Sequence, residues 1–374
     1  MKKILLLVTV VLMACAFTIS NATAKTIKIG LMCPLTGAYA SEGQDMKRIV
    51  TLLAKEVNAR GGIRGDKVKI ILADDGSDAR TSSMAAQKLT TKGIVAVIGT
   101  YGSSNTEATQ NIYDESEIIQ VATGSTSVRL TEKGLKYFFR TSPRDDSQGL
   151  VAFKAIEAKQ VRKVAVLHDN SSYSKGLADE IVKHLRKTKI KVVFEDALTP
   201  KENDYTVILT KMKAARPDFI FFTGYFGEAG LLLKQKREMN WDVPFMGGDA
   251  TNNTDLVKIA GRKAAAGFEC ISPLLPGDLT DRSAKQFMKN YKARYNSLPN
   301  SIWSVLAGDA FKVIVEAIKA TGSTDPDKMA DYMHNDLKDV PGLTGKISFN
   351  KKGDRIGDVY RVYKINSNGE FILK

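Results

Sequence analysis

The stretch GTYGSSNTEAT, Gly99 to Thr109, ends an apolar run and starts what reads as a helix near Ser104 or Asn105. Amides at a helix start have no intrahelical carbonyl and carry partial positive charge, so they favour an anion. Tyr101, Gly102, Ser103 and Ser104 make up the loop at that helix start. An ordinary helix cap accounts for the same residues, because Ser, Thr and Asn begin helices in any protein. A second hydroxyl-rich loop, VATGSTSVRLT (121–131), also reads either as a donor set or as an exposed turn. Chemistry on a bound anion would need more. The chain has no G-x-S-x-G elbow and no P-loop. Its three histidines, His168, His184 and His334, fall at no metal-ligand spacing and give Ser103 no evident base. No cofactor, no metal and no catalytic residue are expected, and the loop reads as a holder of an anion.

The elements that must carry these loops alternate. Strand candidates are TIKIGLM (26–32), VKIILAD (68–74), IVAVIG (94–99), IIQVA (118–122), YFFRT (137–141), KVAVLH (163–168), KVVFE (191–195), DFIFFT (218–223) and GFECIS (267–272). Runs apolar on both faces belong to strands covered on both sides, as in parallel sheets. Between them lie amphipathic helices: in SEGQDMKRIVTLLAKEVNARGG, Met46, Ile49, Leu53 and Val57 share one face and Gly61-Gly62 ends it. The pattern restarts at Lys163, predicting an α/β fold with two Rossmann-like lobes. Two long helices follow, near 281–296 and 303–321, then an antiparallel piece of KISF (346–349), VYRVYKI (359–365) and FIL (371–373).

The ends and the composition narrow the setting. Lys2 and Lys3, an apolar run to Ile19 and Ala22-Thr23-Ala24 form an export signal over residues 1–24, with cleavage expected after Ala24. Acylation at Cys15 is the less favoured alternative. Either places the protein outside the cytoplasmic membrane, in the periplasm. Removing 24 of 374 residues leaves 350, enough for two domains with their own cores. The formal charge of +14 is scattered along the chain, which reads as a lysine-rich surface without nucleic acid as partner. Cys33 and Cys270 are expected as two buried free thiols. A monomer is the default.

Taken together and in order, KIGLMCPLTGAYASEGQDM (28–46), NARGGIRGDKVKIILADDGSD (58–78), VIGTYGSSNTEA (97–108), RTSPRDDSQG (140–149), AVLHDNSSYSKG (165–176) and FMGGDATNN (245–253) carry a resemblance. The chain resembles the type I periplasmic solute-binding proteins, specifically the receptors of branched-chain amino acid ABC transporters. The resemblance implies lobes at about 25–142 plus 277–343 and 143–276 plus 344–374, joined by three hinge crossovers around a ligand cleft. It implies that Ser103 and Thr126 receive an amino acid's α-carboxylate. By the same resemblance the Gly124 carbonyl and Asp249 receive its ammonium, Tyr225 neighbours Asp249, and Tyr173 closes over the ligand. Trp303 matches an aromatic pocket wall. The pattern departs from leucine receptors at Glu42, commonly aromatic there, and at Tyr101, commonly aliphatic; Ser77 and Gly102 replace a cysteine pair of some members. Glu42 in the pocket would favour a polar or basic ligand side chain, and Glu42 in solvent would decide nothing. The expected ligand is a small amino acid, branched-chain or related, delivered to a membrane permease. An amide, urea or aromatic acid ligand, or a chemosensory role, is the alternative.

Overall fold

The computed structural model describes residues 25–357 and 360–374. The expected export signal and Cys15 lie outside the described residues. The first sheet contains β1 (Thr26–Cys33), β2 (Lys67–Asp74), β3 (Ala96–Ile98), β4 (Ile119–Ala122) and β5 (Phe138–Arg140), all parallel, in the order β2-β1-β3-β4-β5. The second contains β6 (Lys163–His168), β7 (Lys191–Ala197), β8 (Phe219–Phe222), β9 (Phe245–Gly247) and β10 (Glu269–Ser272), also mutually parallel. A short pair, β11 (Val340–Pro341) and β12 (Lys346–Ile347), stands apart. Finally β13 (Arg361–Ile365) and β14 (Phe371–Leu373) extend the second sheet antiparallel, giving β14-β13-β10-β9-β8-β6-β7.

The order β7-β6-β8-β9-β10 repeats the order β2-β1-β3-β4-β5. The restart predicted at Lys163 is therefore a repeat of topology. Each unit reverses winding direction once, between β1 and β3 and between β6 and β8, and ligands in open α/β sheets bind beyond the strand carboxyl ends at such points. The strands hold position because both faces are buried: Ala96–Ile98 and Phe219–Phe222 are buried throughout. The helix Trp303–Thr321, also mostly buried, packs against the helix Ala40–Ala59 and against β3. Cys33 and Cys270 are free and buried.

Several expectations need correction. The helix after β3 starts at Ser103, one residue early, because Gly102 takes the extended cap position. The KISF stretch forms a strand only at Lys346–Ile347 and pairs with Val340–Pro341, outside both large sheets. β9 was not anticipated as a strand, being three residues long. Nor was the helix Pro326–Asn335, which Asp325 caps by accepting from the Lys328 amide at 3.0 Å.

Candidate functional site

The first wall of the site is built where the first sheet reverses. Gly99 leaves β3 with φ +119°, and a Cβ there would stand 2.0 Å from the Met32 carbonyl oxygen, so the loop needs glycine. Thr100 to Gly102 then lead into the helix Ser103–Glu115, whose first amides find no intrahelical carbonyl. The second hydroxyl loop is stapled to this helix. The Ser127 amide donates to Ser103 Oγ at 3.2 Å, and the hydroxyls of Thr106 and Ser125 lie 2.6 Å apart. Arg140, fully buried, holds the loop from behind: Nη1 donates to the Ser127 carbonyl at 2.7 Å, and Nε donates to Asp354 Oδ1 at 2.7 Å. A Cβ on Gly124 would lie 2.6 Å from Tyr101 Cδ2, so the two loops touch through Gly124 and Tyr101.

The opposite wall comes from the second sheet. Tyr173 is the second residue of the helix Ser172–Leu185, and Tyr225 occupies the cap position before the helix Phe226–Glu238. Both flank the reversal between β6 and β8. Tyr225 crosses to the first wall: a Cβ on Gly102 would be 3.4 Å from its hydroxyl. Asp249 follows β9 in a short 3-10 turn and is buried. Its amide donates to Gln148 Oε1 at 2.8 Å, and its Oδ2 accepts from the Tyr360 hydroxyl at 2.7 Å. The Ala250 amide donates to the Tyr173 hydroxyl at 3.2 Å. Gln148 also donates through Nε2 to Asp145 Oδ1 at 2.9 Å, which ties a second buried carboxyl to the same network.

Burial pushes the Asp249 carboxyl up to about 7, against the pull of hydrogen bonds from Tyr360 and Tyr173. Asp145 is raised well above the usual carboxylate range, first by burial and then by the charge of Asp249. Among the described residues neither carboxyl forms a salt bridge with Lys or Arg. Between the walls lies an aromatic lining. Tyr225 stacks on Tyr39 with centroids 4.6 Å apart, and Tyr101 sits 5.9 Å from Tyr225 and 6.5 Å from Trp303. Tyr173 lies 5.4 Å from Tyr225.

Glu42 does not reach solvent. It is buried, with Oε1 accepting from Asn253 Nδ2 at 2.7 Å and Oε2 from Ser301 Oγ at 2.6 Å. Burial raises it to about 7, and its charge is felt at Tyr101. Thus the solvent-facing alternative for Glu42 is overturned, and its carboxyl is occupied by donors from within the chain.

Tyr101 Oη and Trp303 Nε1 are buried with no hydrogen bond, and Thr126 Oγ1 and Asp145 Oδ2 have at most a loose contact between their own side chains. Buried polar groups are normally paired, so such a set is characteristic of a place another molecule fills. The fold brings Ser103, Gly102, Tyr101, Gly124, Thr126, Tyr173, Tyr225, Asp249, Glu42 and Trp303 into one neighbourhood where loops of the two sheets meet. Sequence reasoning missed Tyr39, Asp145, Gln148 and Tyr360. Tyr39, Asp145 and Gln148 lie inside the quoted stretches 28–46 and 140–149, whereas Tyr360 had no local signal.

Residues 26–370 match a family described as periplasmic binding protein. The chain belongs to the periplasmic binding protein family. Within it, the protein is 33% identical over 350 residues to a Pseudomonas aeruginosa leucine-, isoleucine-, valine-, threonine- and alanine-binding protein, covering 93% of this chain and 92% of the relative. It is similar to a Streptococcus pneumoniae branched-chain amino acid transporter substrate-binding protein solved with isoleucine: TM-score 0.84, 29% identity, 94% of this chain and all of that one. A Thermotoga maritima leucine-binding protein superposes with a TM-score of 0.86 at 25% identity, covering 93% and 97% of the two chains. Among the described residues no helix is long and apolar enough to cross a membrane.

Proposed function

We propose that this protein is the extracytoplasmic substrate-binding component of an ABC transporter, which holds a small amino acid in the cleft and hands it unaltered to a membrane permease. The observation that carries the reading is the pair of buried carboxyls, Asp249 and Asp145, neither in a salt bridge among the described residues, opposite a wall that offers helix-end amides and hydroxyls. A buried charge without a partner is very costly, so an ionised Asp249 calls for a cation from outside. An α-amino acid supplies that cation together with a carboxylate for Ser103 and Thr126, a few ångströms away on the same carbon. Glu42, neutral for much of the time near pH 7 and already hydrogen-bonded, does not demand a basic side chain. With Tyr39, Tyr101, Tyr225 and Trp303 around it, a compact uncharged side chain fits best, as in the relatives' named ligands.

In this reading the units 25–142 plus 277–343 and 143–276 plus 344–374 are lobes that rotate about the three crossings. The ligand shifts the population to the closed form because it touches both walls only there. Export to the periplasm is part of this reading, supported by the amino-terminal sequence and by the family. A role as a binding protein, and not an enzyme, is supported by the contacts of the imidazoles: His168 Nδ1 accepts from the Asn170 amide, His184 stacks on Phe153, and His334 lies against Phe139. Calorimetry of the twenty amino acids, on protein unfolded and refolded to remove carried-over ligand, tests the proposal. One or more should bind with micromolar or tighter affinity, and Asp249→Asn should abolish it. Heat from amides or aromatic acids alone, unaffected by Asp249→Asn, would refute it.

A further inference from the structure

A partly open cavity lies where the chain crosses between the two sheets. Its volume is about 140 Å³, and none of its walls belongs to the cleft. Pro143 comes from the first crossing, Leu279 from near the second and Thr344 from the third, with Arg355 further along the chain and Ile302 and Leu306 as apolar floor. An apolar cavity of about 150 Å³ stays dry and accepts a molecule of benzene size. One polar side chain of its wall is incompletely paired. The Arg355 side chain is only 5% exposed. Its Nη1 donates to Thr344 Oγ1 at 2.6 Å and its Nη2 to the Thr344 carbonyl at 3.1 Å, but Nε has no partner. Asp309 Oδ2 lies 3.5 Å from Nη1 and offsets this guanidinium. Arg361, exposed, also borders the space and adds a second positive charge.

We infer that the hinge cavity is a second binding site, for a small monocarboxylate with an apolar body of about the size of benzoate. The ring would lie against Pro143, Leu279 and Leu306. The carboxylate would take the unused Arg355 Nε–H and the field of Arg361, a charge-assisted bond of the strong kind. An occupant would touch all three crossings, so it would bias the hinge; that consequence rests on the closure proposed above, whereas the site does not.

The probe is benzoate, titrated into the full mature protein by calorimetry with the cleft emptied by refolding. A single saturable event in the millimolar range or tighter is expected. Leu279→Trp, which fills the space, should weaken it at least tenfold, and Arg355→Lys, which keeps the charge but removes Nε–H, should weaken it several-fold. Tyr225→Ala, on the cleft wall, should leave it unchanged. Absence of saturation, or binding that survives Leu279→Trp and disappears in Tyr225→Ala, overturns the inference. The readout is benzoate itself, so a cleft that takes no amino acid would not affect it.

Discussion

Affinity for an amino acid should depend steeply on pH below neutrality, and the slope follows from Asp249. In the empty cleft its carboxyl holds a proton up to about 7 because burial penalises the charge. A bound ammonium favours the ionised form, so binding below that value must expel the proton. The observed association constant then falls by a factor of 1 + 10^(pKa − pH). At pH 5 this is about 100-fold, or about 2.7 kcal/mol, at 1.36 kcal/mol per pH unit. Above pH 8 the loss vanishes, so affinity rises from acid to neutral and then levels off. The neighbours do not cancel the effect. Tyr173 and Tyr360 are pushed upward by burial and by Asp249 and stay neutral in this range. Asp145 is raised too, first by burial and then by the charge of Asp249. Glu42 titrates in the same region but is bonded to Asn253 and Ser301, so Glu42→Gln serves as the control. Calorimetry from pH 5 to 8.5 in buffers of different ionisation enthalpy measures both affinity and proton release. About one proton should leave per ligand at pH 5.5 and almost none at pH 8. An affinity constant across that range, or one that tightens on acidification, would refute the reasoning.

The Tyr360 hydroxyl donates to the ionised form of Asp249, so Tyr360→Phe removes a charge-assisted bond of about 1.5–3 kcal/mol. The midpoint of the pH profile should move upward and affinity at pH 7 should fall about tenfold or more; an unmoved midpoint in the same calorimetric series would count against this role. Asp354 pairs with Arg140 where both are almost fully buried, and Asp354→Ala would strand the guanidinium behind the hydroxyl loop. Urea unfolding should show a loss of about 3–5 kcal/mol. Because Asp354 lies below the usual carboxylate range, its share of stability is present above that range and fades as acid approaches its lowered value. The stability gap between wild type and Asp354→Ala should therefore narrow in acid.

The architecture was legible because period and burial are local properties. A strand such as Phe219–Phe222 is apolar at every position, and only a two-sided parallel sheet hides such a run. The three-residue β9 gave too little pattern, while Asp325 before Pro326 did carry a helix-start signal that the sequence reading passed over. The candidate site divides differently. Ser103, Gly102 and Tyr101 follow from strand, glycine loop and helix start, which are adjacent in the chain. Asp249 entered only through a resemblance, since nothing beside it in sequence distinguishes it from a helix-capping aspartate. What sets it apart is tertiary: Gln148 lies 101 residues before it and Tyr360 lies 111 after it. Glu42 shows the same limit more sharply, because its partners Asn253 and Ser301 are 211 and 259 residues away. A carboxyl's charge state depends on how far water is excluded and on which donors arrive, and both are fixed by the meeting of segments that no window of sequence contains. Residue type announces that a group can be charged; only the packing of two sheets leaves Asp249 buried beside Tyr360 and Gln148, and Glu42 buried beside Asn253 and Ser301.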